Sequence, residues 1–271
     1  VINISGQKWI FAGVDLNTKG WSVVEVPEGI GTVGLRGSNV QIPFQDGKRW
    51  IKKRYEERIV MLPMWVRGLD PMTGKVPSGA SQDEQLYENI DFLSRLFGKK
   101  GEHILKRILP GGSEREAMAE VYKQVNFVKS MPGYAKFAVE LLLSDPFFYD
   151  VQKNRETQTI SNASHEWTHN NPGTAPATDV VITLSGPMES PKLECLGSNL
   201  WLQFQGSVGS GESVVINTGD FTCKKGSSNM ISAIKHGGDA CWFILDSGYN
   251  QLRISGASGG SVKLEYYPAY F

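Results

Sequence analysis

Apolar and polar residues alternate one by one along much of this chain, the two-residue period of half-buried strands. Trp9, Phe11 and Gly13 alternate in the first such segment. Trp21, Val23 and Glu25 do so in the next, with Val24 and Val26 on the opposite face, before turn residues at Pro27, Glu28, Gly29 and Gly31. Val40, Ile42 and Phe44 alternate with Gln41, Pro43 and Gln45 and predict a further strand, closed by turn chemistry at Asp46-Gly47. The apolar run 59–66 is broken only by Pro63. Proline removes a ladder donor, so this run is expected to be an edge strand or to carry a bulge. Residues 103–109 and 134–143 read as strands, the first turned by Pro110-Gly111-Gly112.

One stretch changes period. Leu86, Ile90, Leu93 and Phe97 recur at helical spacing, and Ser81 with Glu84 forms a capping box ahead of them. A helix over 82–97 is predicted, closed by Gly98 in the left-handed conformation. The segment 113–125, SEREAMAEVYKQV, is ambiguous. Ser113 and Glu116 form a second capping box among good helix formers, yet Ala117, Ala119 and Val121 alternate. Local propensity favours helix there.

From about residue 151 glycine, serine, asparagine and threonine rise and no long helical period appears. Short apolar runs at 180–184, 200–204, 214–216, 241–245, 252–254 and 262–266 alternate with turns at 206–211, 225–229 and 256–260. Many short strands with turns between them read as a β-sandwich. Whether the final segment, 261–271, closes this sandwich or returns to the first domain is left open by the residues.

Composition narrows the function classes. The 271 residues suit about two domains of ~150 residues. Hydrophobic content of 40% against 21% charged allows a packed core. Twenty-eight basic residues balance 28 acidic ones, which argues against a general nucleic-acid binder. Cys195, Cys223 and Cys241 are odd in number with no CxxC spacing, so a disulfide framework is not expected and synthesis in a reducing cytosol is. The first residues have neither a basic start nor a long apolar core, and no run approaches the ~20 apolar residues of a membrane span, so no leader, no membrane insertion and a soluble protein are expected.

The run 35–74, LRGSNVQIPFQDGKRWIKKRYEERIVMLPMWVRGLDPMTG, resembles the N-terminal part of distal tail proteins of long-tailed phages, also called minor tail proteins. SQDEQLYENIDFLSRLFG at 81–98, DPFFYD at 145–150, NPGTAPATDVVITLSGP at 171–187 and HGGDACWFILDSGYNQLRIS at 236–255 agree in order, so the resemblance covers nearly the whole chain. It implies a mainly β protein. Residues 1–150 would be a ring-forming, belt-like β-sandwich-type domain with the helix 82–97, and residues 151–271 a galectin-like β-sandwich. It favours strand over helix at 113–125. It further implies a structural virion protein without catalysis or cofactor, a hexameric ring at the distal end of the tail. The ring's partners would be the tail tube, the tape measure protein and tail-tip or fibre proteins.

Three clusters carry candidate chemistry. Six basic residues, Lys48, Arg49, Lys52, Lys53, Arg54 and Arg58, stand near Trp50, Ile51 and Tyr55, with Glu56 and Glu57 inside the run. Aromatics and arginine are enriched at interfaces, so Asp46, Arg49, Trp50, Lys53, Arg54, Tyr55 and Arg58 are the expected ring contacts, with a fold-internal hairpin as the plainer alternative. His165-Glu166-Trp167-Thr168-His169 matches HExxH, the zinc peptidase signature, which works only on a helix. The preceding residues have no helical stripe, and Asn170-Asn171-Pro172-Gly173 follows at once. His165, Glu166 and His169 are therefore rejected as metal ligands, and a strand flanking Trp167 is expected. Residues 169–172 partly match the HxNPR run of galectins, but Gly173 stands where the arginine belongs. A carbohydrate-binding module for host attachment remains the alternative function, with Trp167 and His169 as the residues to test and Trp201 and Trp242 in runs that read as buried.

Overall fold

The computed structural model describes residues 6–24, 26–44, 46–237 and 242–271. Glu25, Gln45, Cys241 and the first five residues, drawn on above, lie outside the described residues. The chain divides into two compact units, Val1–Phe148 with Phe271, and Tyr149–Tyr270. Both are built mainly of antiparallel strands.

The first unit contains β1 (Lys8–Phe11), β2 (Val14–Asp15), β3 (Trp21–Val23), β4 (Leu35–Arg36), β5 (Arg54–Tyr55), β6 (Arg58–Arg67), α1 (Gln82–Phe97), β7 (His103–Ile108), β8 (Glu114–Val121), β9 (Val128–Met131) and β10 (Tyr134–Leu143). The strands run in the order β2-β1-β7-β8-β10-β6-β3, with β9 beside β10, and β4-β5 forms a separate small ribbon. β8 and β10 meet only at Val121–Leu141 and Glu120–Leu142, so the two halves of this sheet join at a corner. Trp9, Phe11, Leu105 and Ala119 on one half and Val60, Leu62, Met64, Val139 and Leu141 on the other are buried, together with Leu86, Leu93, Leu96 and Phe97 of α1.

The helix has the predicted bounds because its start is encoded locally. Ser81 Oγ accepts from Glu84 N, and the Glu84 carboxylate accepts from Ser81 N. Its end differs from expectation. Gly98 has φ −84° and stays right-handed, its N–H donating to Ser94 O, while the left-handed glycine is Gly101 at φ +84°. The buried stripe also contains two polar side chains, Gln85 and Asn89.

Of the segment 113–125, residues 114–121 form strand β8, and the strand stops before residues 122–125. Six residue pairs with β7 outweigh the local helix propensity, and Ala117 and Ala119 face inward. The expected strand at 40–45 is corrected: among the described residues 40–44 one bridge, Val40 to Arg49, forms, and Phe44 sits at φ 65° on the surface. Pro43 within the segment removes a ladder donor, and the Asp46-Gly47 turn follows at once. Pro63 causes no bulge. β6 and β10 pair without interruption through ten residues. The carbonyl of Pro63 accepts from Val24 N on the opposite side, so the missing donor of Pro63 faces the short β3 flank and costs the β10 ladder nothing.

The second unit follows β11 (Phe148–Asp150), which crosses the boundary. It holds β12 (Asn154–Thr159), β13 (Ser164–Asn171), β14 (Val181–Ser185), β15 (Met188–Cys195), β16 (Leu200–Phe204), β17 (Ser207–Val208), β18 (Ser213–Asn217), β19 (Thr222–Lys225), β20 (Ser228–Asn229), β21 (Ile234–Gly237), β22 (Gly248–Ala257), β23 (Ser261–Tyr266) and β24 (Ala269–Tyr270). One sheet runs β12-β23-β14-β18-β19-β20 and the other β13-β22-β15-β16-β21, with β17 beside β15. Their inner faces enclose one apolar core that includes Ile182, Leu193, Phe204, Phe243, Leu252 and Leu264. β23 pairs with β12 and β14 inside this sandwich, whereas Phe271 belongs to the first unit. Of the expected strand at 241–245, the described residues 242–245 contribute a single bridge, Ala177 to Leu245. Strands β12, β13 and β15 carry too many polar residues for their apolar runs to stand out.

Candidate functional site

The HEWTH motif lies in the middle of β13 and is extended. A strand rises about 3.3 Å per residue, so its two histidines stand roughly 13 Å apart along the backbone, whereas a helix would bring them to one turn. Alternation sends His165, Trp167 and His169 to the inner face and Glu166 outward, where it meets Arg253 at 3.6 Å. His165 stacks on Trp167, with ring centroids 5.9 Å apart. Among the described residues no group of three His, Cys, Asp or Glu side chains could hold a metal ion. Trp167 and His169 are 9% and 1% exposed, so neither belongs to a sugar-binding surface.

His169 instead belongs to a buried polar cluster that ties the two sheets of the second unit together. Its Nδ1 faces the Glu156 carboxylate of β12, and its Nε2 lies 2.9 Å from the Tyr266 hydroxyl of β23. Asn154 Nδ2 donates to the same hydroxyl at 2.8 Å, and Gln158 Nε2 donates to Glu156. Burial pushes the Tyr266 phenol up to about 12. Every polar atom of His169 has a partner inside the fold, which makes this a structural network.

The outer face of the other sheet carries Glu194 between Lys192 and Arg253, at 2.6 and 2.9 Å. Burial alone would raise the Glu194 carboxyl, but hydrogen bonds from Lys192 and Arg253 outweigh it and hold the group below the usual carboxylate range. Trp201 is half-buried beside them. Lys192 Nζ sits 4.8 Å from its ring centroid, and a side chain at Gly237 would collide with the indole. Trp242 packs edge-on against Phe221.

The seven residues expected to contact a neighbouring subunit separate into two groups. Asp46, Arg49, Trp50 and Arg54 are exposed, Trp50 at 70%, and Lys53 is half-buried. They lie on an arm with little regular structure, held by the Val40–Arg49 bridge and the β4-β5 ribbon. Tyr55 anchors the base of that arm, packing against Phe147 and Phe271 at 5.2 and 5.5 Å. Arg58 is the correction. It begins β6, points inward and is 5% exposed, because β6 alternation puts residue 58 on the same face as Val60 and Leu62.

The same unit presents a surface of opposite sign that the sequence reading passed over. Glu84, Glu88 and Asp91 are exposed on α1, on the side away from the core. Phe92 stacks on Trp21 at 5.1 Å, and beside this pair a cleft of about 440 Å³ is lined by Trp21, Pro71, Glu88, Asp91, Phe92 and Arg95. The polar face of the predicted helix already contained these acids.

No protein-family model matches the chain, and no curated protein matches it. Solved structures do. The Dit protein (gp 19.1) of SPP1, described as a paradigm of hub adsorption apparatus in phages infecting Gram-positive hosts, superposes with a TM-score of 0.65 at 14% identity, covering 98% of this chain and 99% of that one. A chain of the phage p2 baseplate in its activated conformation covers 96% of this chain at 10% identity, but its TM-score of 0.39 is too low to carry an argument. Over nearly its whole length, this mainly β chain therefore has the two-part fold of a Dit-type tail protein.

Proposed function

We propose that this chain is a structural hub protein of a phage tail, at the distal end of the virion, and works by assembly without catalysis. The observation that carries this reading is the fold shared with the SPP1 Dit hub protein across 98% of the chain. Fold alone does not specify function, so the surfaces must support the role. They do so in the first unit, which carries an exposed basic arm with Trp50 and an acidic helix face beside an aromatic cleft. Unlike surfaces on one chain suit head-to-tail contacts, and such contacts close into a ring when the rotation between copies allows it. In this reading the arm of one copy, through Asp46, Arg49, Trp50, Lys53 and Arg54, docks on α1 of the next. The ring is a hexamer, with the tail tube and tape measure protein on one side and tip or fibre proteins on the other.

Light scattering after gel filtration, with negative-stain images of the largest species, tests this. A closed six-fold ring supports the hub reading. A monomer at every concentration, in the presence of the tail tube protein as well as alone, overturns it.

A further inference from the structure

Among the described residues, no carboxylate pairs with two guanidinium groups that lie inside the first unit. Arg58 of β6 and Arg107 of β7 are 5% and 9% exposed. The ion pairs of this unit among the described residues involve Lys106, Lys123 and Lys129, and none reaches either arginine. Buried charges are ordinarily paired, because an unpaired one forfeits its hydration with nothing in return.

What does surround them is aromatic. Arg58 sits 5.7 Å from the centroid of Phe148, and Arg107 sits 5.7 Å from the centroid of Trp9. Those two rings meet edge to face at 6.3 Å, so both cations flank one aromatic pair. Arg58 Nη2 donates to Gly31 O at 2.9 Å, and Arg107 Nε donates to Gln7 Oε1 at 2.9 Å. Arg58 Nε, Arg58 Nη1 and Trp9 Nε1 are buried with no hydrogen-bond partner. All three orphans are donors. Burial, then the like charges of Arg115 and Arg58, pull Arg107 down to about 10, which reflects the same excess of positive charge. A donor-rich, cationic interior calls for a bound acceptor.

We propose that the Arg58–Phe148–Trp9–Arg107 cluster is an internal site for a small monovalent anion of the halide class. Arg58 Nε and Nη1 are its principal ligands, Trp9 Nε1 is a neutral donor, and Arg107 supplies the second positive charge. The ligand must be small and singly charged because its protein ligands are nearly inaccessible to solvent, and desolvating a polyanion there would cost far more. The anion would neutralise part of the buried charge and act as an internal structural ion of the first unit.

Crystals of the full chain grown in sodium bromide, measured at the bromine absorption edge, test the site directly. The expected result is an anomalous peak within hydrogen-bonding distance of Arg58 Nε and Nη1. Peaks on surface lysines only, or an ordered water at Arg58, overturn the proposal. In solution, melting of the full chain is compared in chloride and in gluconate, too large to enter, at equal ionic strength. The expected shift is roughly 3–5 °C upward per tenfold rise in chloride, absent in gluconate. Arg58→Met keeps an apolar stem against Phe148 and should abolish the difference between the two salts. Equal melting in both salts for the unchanged chain overturns the proposal whether or not the variant folds.

Discussion

The side-chain amide of Asn89 donates to the backbone carbonyl of Arg67 at 2.6 Å, joining α1 to the last residue of β6. The same nitrogen donates to Leu69 O at 2.9 Å, and Gln85 Nε2 donates to Asn89 Oδ1 at 3.0 Å. A buried asparagine thus supplies the donor for two carbonyls at the end of β6. Asn89→Leu preserves volume but leaves two carbonyls and the Gln85 amide unsatisfied. We expect a loss of about 2–3 kcal/mol, read from urea unfolding of the first unit's transition.

Tyr266 joins three strands through one hydroxyl. Tyr266→Phe leaves His169 Nε2 and Asn154 Nδ2 without that partner and should cost the second unit about 1–2 kcal/mol at neutral pH. The phenol is also raised from 10.0 to about 12, chiefly by burial. The folded state therefore keeps a proton that the unfolded chain releases, so this contribution is intact below pH 10 and declines as pH rises towards 12. Cys223, pushed from 9.0 to about 11 by burial, adds a slope that begins lower. The part of the alkaline decline lost in Tyr266→Phe, measured by denaturant unfolding from pH 9 to 12, isolates the tyrosine. An unchanged slope in that variant would contradict the assignment.

Acid should destabilise both units. In the first, the hydrogen bond from Lys129, and then that from Gly133 N, holds Asp83 below its usual range, and the bonds from Ser81 do so for Glu84. In the second, Lys225 lowers Glu212 and Lys263 lowers Glu265. These carboxylates are depressed in the folded state, so their stabilisation is present above the ordinary carboxylate range and is lost as pH falls through the depressed values. Melting temperatures recorded from pH 7 to 3 should be level at first and fall below about pH 4, with Asp83→Asn reducing the fall in the first unit.

The arm and the helix face can be tested as a pair. Trp50→Ala removes an exposed side chain and should change the stability of the isolated chain by less than about 0.5 kcal/mol while preventing assembly. Arg54→Glu should also prevent assembly, and adding Asp91→Lys should restore part of it. Sedimentation velocity reads all three. Full assembly by Trp50→Ala would remove the arm from the contact.

The sequence by itself determined α1 and the fold class. A capping box and a four-position stripe are local signals, and both act within one helix. It also determined that HEWTH is no zinc helix, since asparagine, proline and glycine follow at once. The tertiary structure decided what depends on a partner strand. Residues 114–121 carry helix formers but pair with β7, while the described residues 40–44 alternate well and form one bridge, Val40 to Arg49. Pro63 reads as a break, yet only the strand's sidedness shows that its missing donor faces away from β10. Arg58 looked like the end of a surface cluster, and one residue of register in β6 placed it inside. Asn89 and Gln85 are polar residues of α1, and both are buried where Asn89 bonds two carbonyls near the end of β6. In each case the residue's own chemistry was legible, but the group that would satisfy it lay far away in sequence, and only folding brought the two together.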